Sequence, residues 1–547
     1  MDFLEIYYTD VYKTGHKPML PKGSTLMYSN TTPRSGKHAN FSDAKGIING
    51  GQQKMVRQMN EDWKTNFFDR PIEEIEQFGR DLTAMLMLAE PFDISHFKEL
   101  HELGYLPLKV KALKEGTFVP YGVPITTVVN TKPLNGAVVD WLVNYLETIQ
   151  QAESWQFPTS ATLSFEFRKN SHKWVSETDP ENMWLIDYMN HDFSMRGQQG
   201  KSAIVNSGLG WAFCSKGSDT LPVIPASRKY YDEPLDDVCI NSVMASEHAI
   251  MCSLTGFFMK NSDGDWNKVA DFEYEMFVYL LKKFPSGTLS LVMDTWDLWR
   301  SIEVYCRKAK DIIMARDGKL VIRPDSGNPV DIICGINSNP RLSGDVKYFE
   351  DLNDLATKGT DKRSFGNARI NKSEFKGVIE LLWDIFGGTT NYKGYKVLDS
   401  HIGAIYGDSI TLDRQTRIYE RLAYKKFAST NIVLGVGSYS LAMVSRDTHG
   451  FAQKATYIEV NGLNIEVFKD PVTSVGTNKK SAKGLMTVSH DINGDYKMID
   501  QVDWNTEDKG ELQVIFKDGE FYNQTTLTEI RERINGLLLT IEATREK

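Results

Sequence analysis

Four short apolar runs in the second half of the chain each end in Asp or Gly, and they constrain the fold more than any other feature. They are 288–297 (TLSLVMDTWD), 319–327 (KLVIRPDSG), 401–410 (HIGAIYGDSI) and 431–438 (NIVLGVGS). An apolar run of this length that stops at a polar turn suits a parallel strand buried on both faces, delivering its loop at the carboxyl edge of the sheet. Between and beside the runs, 298–315, 373–386 and 411–427 carry apolar residues at the three- and four-residue spacing of a helix. The alternation predicts repeated βα units in an α/β protein.

Spacing refines this. Asp294 to Asp325 is 31 positions and Asp408 to Gly437 is 29, which suits successive units of a barrel, whereas Asp325 to Asp408 is 83. The excess is polar, and 336–372 reads as an insertion rather than a lost barrel unit. Residues 105–130 alternate apolar and polar with Gly and Pro punctuation, as short antiparallel strands do, and 455–520 shares that character. No repeat and no Gly/Ser- or Pro-rich linker divides the chain. The expected organisation is an N-terminal α+β segment (1–150), a barrel-like catalytic domain (151–438) and a C-terminal segment (439–547) that returns to pack on the first.

Composition narrows the class. The 547 residues carry 63 Lys and Arg against 72 Asp and Glu, a net charge of -9, which argues against a nucleic-acid partner and leaves anionic small ligands to local basic pockets. Five cysteines with no CxxC pair make neither a disulfide framework nor a zinc ribbon. The N-terminal string MDFLEIYYTDVYKTGHK is not a signal sequence, and no run approaches the ~18 apolar residues of a membrane span. A soluble cytoplasmic protein is expected.

On a common rim, Asp294, Asp325, Asp408 and the glycines after residue 434 converge where barrel enzymes place their chemistry, and collected carboxylates imply cations. An Asp after a strand also serves as the N-cap of the next helix, so each one alone is ambiguous. IRPDSGNP (322–329) sets Arg323 and Asp325 around Pro324 before a small-residue turn, and GVGS (435–438) with Arg446 adds backbone donors and a guanidinium. Carboxylates for ribose hydroxyls beside donors for phosphate suit a sugar-phosphate ligand.

HDFSMRG (191–197) and KGSDT (216–220) bring a family resemblance into view. With TDVYKTGH (9–16), WLVNYLETI (141–149), SWQFPTSAT (154–162), ASEH (245–248), YGDS (406–409), NGLNIEVFKDPV (461–472) and NKKSAKG (478–484), the chain resembles the nicotinamide phosphoribosyltransferases, barrel-type (type II) phosphoribosyltransferases, almost end to end. These enzymes join nicotinamide to phosphoribosyl pyrophosphate, giving nicotinamide mononucleotide and pyrophosphate. The resemblance implies a homodimer with shared sites, and the nicotinamide ring stacked between Phe193 and Tyr12 of the partner subunit. Cation–π attraction would grow there as the ring nitrogen is alkylated. Asp219 would accept the carboxamide NH2, and a nicotinate carboxylate there would meet a like charge. Arg323 either faces the carboxamide oxygen or pairs with Asp219 or Asp325.

By the same correspondence Arg196 lies near ring and phosphate, and Asp325, Gly407 and Asp408 serve the ribose. Gly437, Ser438, Arg446 and the partner's Arg34 take phosphate, and Lys469, Lys479 and Lys483 the pyrophosphate and nucleotide-phosphate side. Ser438 stands where the family has a third glycine, which bears on the tightness of that turn. His248 matches the histidine phosphorylated when ATP hydrolysis is coupled to synthesis, with Asp294 or Glu247 as its orienting carboxylate. Mg²⁺ is expected chiefly on the substrate pyrophosphate.

Paired acids after an apolar run, the phosphoribosyl pyrophosphate signature of Rossmann-like transferases, are missing; Asp236 and Asp237 follow EPL instead. Three other readings compete: a nicotinate phosphoribosyltransferase on the same fold, a barrel aldolase or isomerase, which would want a Lys or Glu at a strand end, and a non-catalytic binding protein.

Overall fold

The computed structural model describes residues 3–133, 136–262, 268–336, 372–469 and 482–545. Seven strands, Asn190–Asp192, Gly217–Ser218, Met244–Ala245, Leu289–Val292, Leu320–Arg323, Ile402–Tyr406 and Ile432–Val436, form one sheet in which every pairing is parallel. The strands follow one another in space as in sequence, and the last returns to the first, with Leu434 opposite Asn190 and Val436 opposite Asp192. The seam between the second and third strands is bridged at Gly217 and Asn241, where the Ser218 N–H donates to Asn241 O at 3.2 Å and the Asn241 N–H to Lys216 O at 2.7 Å. The sheet therefore closes as an irregular barrel.

The four strands expected from apolar runs are present as the four longest of the seven. The other three have no apolar run to betray them. Asn190, His191 and Asp192 are buried, yet Asn190 donates to Ser171 Oγ at 2.9 Å, and Asp192 accepts the Ser194 N–H at 2.8 Å and the Thr220 hydroxyl at 2.6 Å. Buried polar groups whose hydrogen bonds are satisfied cost little, so such a strand leaves no trace in hydropathy. Leu320–Arg323 pairs directly with Ile402–Tyr406, so the two are neighbours in the barrel. Of the expected insertion at 336–372, residues 337–371 lie outside the described residues.

A second sheet is antiparallel and runs Leu463–Glu466, Ala452–Val460, Ser24–Thr32, Thr126–Asn130, Leu108–Ala112, Gln513–Lys517, Glu520–Phe521. Strands from both ends of the chain are interleaved in it: Tyr28 lies opposite Tyr457 on one side and Val129 on the other. This is the interwoven α+β unit that the alternating patterns at both ends predicted. Its apolar core, which includes Trp63, Phe67, Phe97 and Trp141, is distinct from the larger core of the barrel and its helices.

Candidate active site

The strand-end acids are not helix caps. The helices after three of the barrel strands are capped instead by Asp297, Asn328 and Thr411, whose side chains accept N–H groups of the first turn. That leaves the carboxylates of Asp294, Asp325 and Asp408 for other work. All three surround the Tyr406 hydroxyl, which donates to Gly327 O at 2.8 Å; burial first, and then these charges, hold the phenol protonated far above its ordinary range. Gly407 explains one close approach, because a Cβ there would fall 2.6 Å from Asp325 Oδ1. Asp408 itself is exposed, and Ser409 after it holds a left-handed φ of 54°. Among the described residues no group of three His, Cys, Asp or Glu side chains is arranged to hold a metal ion.

Asp294 is the most buried of the three acids, its side chain only 5% exposed. Its Oδ2 accepts the N–H groups of Asp325 at 2.9 Å and Ser326 at 2.8 Å, together with the Ser326 hydroxyl. Its Oδ1 is buried without a hydrogen-bond partner and lies 3.8 Å from His248 Nε2. Asp325 Oδ2 is 3.7 Å from the same nitrogen, while Nδ1 lies 3.2 Å from Thr295 Oγ1. Thus Thr295, which the sequence reading passed over, holds the far side of the ring. Glu247 is exposed and precedes the helix His248–Asn261 without capping it by its side chain.

Across the rim, Phe193 lies over the Gly435 backbone, where a Cβ would meet the ring at 2.5 Å. The His191 ring sits 4.7 Å from that of Phe193, and its Nε2 reaches Asp219 Oδ1 at 2.9 Å. The Ser242 hydroxyl donates to the same oxygen. Burial alone would raise the Asp219 pKa, but these two hydrogen bonds and the charge of Arg323 hold it below the ordinary carboxylate value. Arg323 faces Asp325, Asp219 and Asp294 electrostatically, with Arg196 opposing, and its Nε is buried without a hydrogen-bond partner. His191 and Ser242 were missed in the sequence; His191 stands inside a quoted motif, but nothing local pairs it with a residue 28 positions away.

At the end of Ile432–Val436, a Cβ on Gly437 would meet nothing within 4 Å, so its backbone is open to a ligand. Ser438 starts the short helix Ser438–Leu441 and does not have the left-handed φ that would demand glycine. Its hydroxyl instead occupies the space a side chain on Gly197 would need: a Cβ there would lie 1.8 Å from Ser438 Oγ. The third glycine is dispensable here because Gly197 yields the room.

A second group of expected residues lies on the antiparallel unit. Tyr12 is 59% exposed, with Lys13 Nζ 5.7 Å from its ring centroid and His16 beside it. Lys13 pairs with Glu147 at 2.7 Å. Arg34 is exposed and donates through Nε to Gly450 O at 2.8 Å, close to the turn of Arg446, which faces Asp447 at 3.3 Å. Half-buried Lys454, missed in the sequence, faces Arg34 and Lys469; burial and then these two cations lower its pKa, while Glu147 opposes them. A desolvated cluster of like cations is a ready site for an anion. Lys483 sits 3.8 Å over the Phe468 ring, and Lys479 lies outside the described residues. Among the described residues, neither Tyr12 nor Arg34 makes a hydrogen bond or ion pair with the barrel rim.

Carboxylates, a guanidinium and open glycine backbone gather at the carboxyl rim of the parallel barrel, where proteins of this class place their chemistry. The model of the nicotinate phosphoribosyltransferase (NAPRTase) family matches residues 188–520, and the chain belongs to that family. The nicotinamide phosphoribosyltransferase of Acinetobacter baylyi is 37% identical over 535 residues, 96% of each chain. That of Mycoplasma pneumoniae is 31% identical over 486 residues, covering 85% of this chain and 91% of its own. The crystal structure of human nicotinic acid phosphoribosyltransferase shares the fold at 14% identity, with a TM-score of 0.53 over 97% of this chain and 93% of that one.

Proposed function

We propose that this chain is a nicotinamide phosphoribosyltransferase, which moves the phosphoribosyl group of phosphoribosyl pyrophosphate to nicotinamide and yields nicotinamide mononucleotide and pyrophosphate in NAD salvage. The observation that carries the choice of acceptor is Asp219, kept ionised by His191, Ser242 and Arg323 beside the Phe193 ring. An ionised carboxylate there accepts the amide NH2 and repels the carboxylate of nicotinate. Two full-length relatives bearing the same activity in their names support the reading.

No covalent enzyme nucleophile is required. Pyrophosphate leaves the anomeric carbon, positive charge spreads into the ribose ring, and the nicotinamide nitrogen attacks from the other face. Asp325 and Asp408 receive ribose hydroxyls, Phe193 and the partner's Tyr12 enclose the ring, and the Arg323 guanidinium serves the carboxamide oxygen. Gly437, Ser438 and Arg196 serve phosphate from one subunit, and Arg34 with its chain neighbours Arg446, Lys454 and Lys469 from the other. Mg²⁺ would be held by pyrophosphate oxygens and water and would neutralise the leaving group. His248, with its Nε2 3.8 Å from Asp294 and 3.7 Å from Asp325, would take a phosphoryl group from ATP, the carboxylates orienting its ring. Among the described residues no helix is long and apolar enough to cross a membrane.

The test is nicotinamide mononucleotide formation by the purified chain from nicotinamide, phosphoribosyl pyrophosphate and Mg²⁺, with nicotinate in parallel and ATP present or absent. Product from the amide, raised by ATP, is expected. Product from the acid alone would transfer the assignment to a nicotinate phosphoribosyltransferase.

A further inference from the structure

Away from the barrel rim, a cavity of ≈ 470 Å³ opens between the N-terminal turn Glu5–Tyr7 and the helices Gln52–Trp63 and Glu147–Ser154. Met55, Met59 and Ile149 form an apolar wall, and Tyr8 stands half exposed at its edge. Three carboxylates line it: Glu5, Asp62 and Glu153.

Their charges are not equally matched. Glu153 pairs with the buried Lys54 at 3.1 Å and accepts from the Ser202 hydroxyl at 2.8 Å and the Asn206 amide at 3.0 Å. Lys54 is thereby taken up. Lys229, the other nearby cation, pairs with Glu61 at 2.5 Å on the outer surface. Glu5 is only 9% exposed, and its carboxyl makes no hydrogen bond or ion pair among the described residues. Asp62, half-buried, has Gln58 as its hydrogen-bond partner among the described residues. A buried carboxylate without a partner is costly, and Glu5 beside Asp62 and a satisfied Glu153 leaves an excess of negative charge in a chamber of ligand size.

We propose that this cavity binds a small organic cation, a primary ammonium group on an apolar body, whose charge is received by Glu5 and Asp62. The thioethers of Met55 and Met59 take the apolar body, and the Tyr8 ring adds a cation–π face at the entrance. The free state is consistent with this. Burial first, then the charges of Asp62 and Glu153, push Glu5 up to about 7, and burial raises Asp62 as well. Among the described residues Glu5, Asp62 and Glu153 are the charged groups on the cavity wall; Lys54 stands behind it, paired with Glu153, and Glu61 pairs with Lys229. Binding a cation favours ionised Glu5, so association releases a proton and strengthens as pH rises through about 7. None of this depends on the phosphoribosyl-transfer reading, since none of these groups lies at the barrel rim.

The experiment is calorimetric titration of the full chain with phenethylamine, and with 2-phenylethanol as its uncharged counterpart. Saturable single-site binding of the amine alone is expected, weaker at about pH 6 than at about pH 8, where the amine stays charged as a lysine does. Glu5→Gln and Asp62→Asn should each weaken it about tenfold or more, and Glu61→Gln should leave it unchanged. A melting curve for each variant verifies folding, and Glu5→Gln relieves buried charge rather than adding it. Absence of saturable binding, equal binding of the alcohol, or insensitivity to both substitutions would overturn the proposal.

Discussion

The carboxylate of Asp294 receives the backbone N–H of Asp325 at 2.9 Å, so one acid of the rim holds another in place. The second bond from the same oxygen, to the Ser326 N–H at 2.8 Å, fixes the turn on which Asp325 stands. Asp294→Ala leaves two N–H groups without their acceptor. Activity with phosphoribosyl pyrophosphate should fall by about 100-fold in kcat/KM, near 2.7 kcal/mol of transition-state stabilisation, while stability drops by about 1–2 kcal/mol. Steady-state kinetics with a thermal melt separates the two, and a loss of stability without loss of activity would contradict this role for Asp294.

Asp219 sets the acceptor base through its charge. Asp219→Asn keeps the shape and removes the repulsion, so the ratio of kcat/KM for nicotinamide over nicotinate should shift toward the acid by at least about tenfold, or 1.4 kcal/mol. Competition between the two bases in one reaction reads the ratio directly. An unchanged ratio would mean that another group selects the base.

Gly197 and Ser438 share one volume. Gly197→Ala puts a methyl 1.8 Å from the Ser438 hydroxyl oxygen and should cost about 1–3 kcal/mol with reduced activity, whereas Ser438→Gly alone should be mild. The double variant should recover most of the loss, because the clashing side chain is gone. A double-mutant cycle on melting and activity measures the coupling, and additive effects would refute the shared volume.

Among the described residues Tyr12 and Arg34 make no hydrogen bond or ion pair with the barrel strands of their own chain, and the proposed site takes them from a partner. Inactive Arg34→Ala and inactive Asp325→Ala, mixed and allowed to exchange subunits, should regain up to about a quarter of wild-type activity, since each hybrid dimer then holds one intact site. No recovery after verified exchange would place both residues in a single chain's site.

Glu5 gives the stability a pH dependence of known sign. Its folded pKa, about 7, lies above the ordinary carboxyl value, so the stability it contributes is fully present below the unfolded pKa and is lost as pH rises through about 7. In the ligand-free protein Glu5→Gln should therefore raise the melting temperature at pH 8 relative to wild type and change it little at pH 5. Melting curves at both values check the crossover.

The sequence by itself determined the barrel's longer strands, because four or five apolar residues ending in a polar turn have few other folds open to them. It also displayed the acids of the rim, since Asp294, Asp325 and Asp408 follow those runs directly. It was silent on Asn190–Asp192, Gly217–Ser218 and Met244–Ala245, which are short and, in the first case, buried on polar side chains satisfied by distant partners. Only the tertiary structure decided that helix capping falls to Asp297, Asn328 and Thr411, that His191 and Ser242 hold Asp219 ionised, and that Gly197 makes room for Ser438. The reason is physical. Hydrophobic periodicity is a local property of the chain, whereas a hydrogen bond or a steric contact between residues far apart in sequence exists only once the sheet has closed.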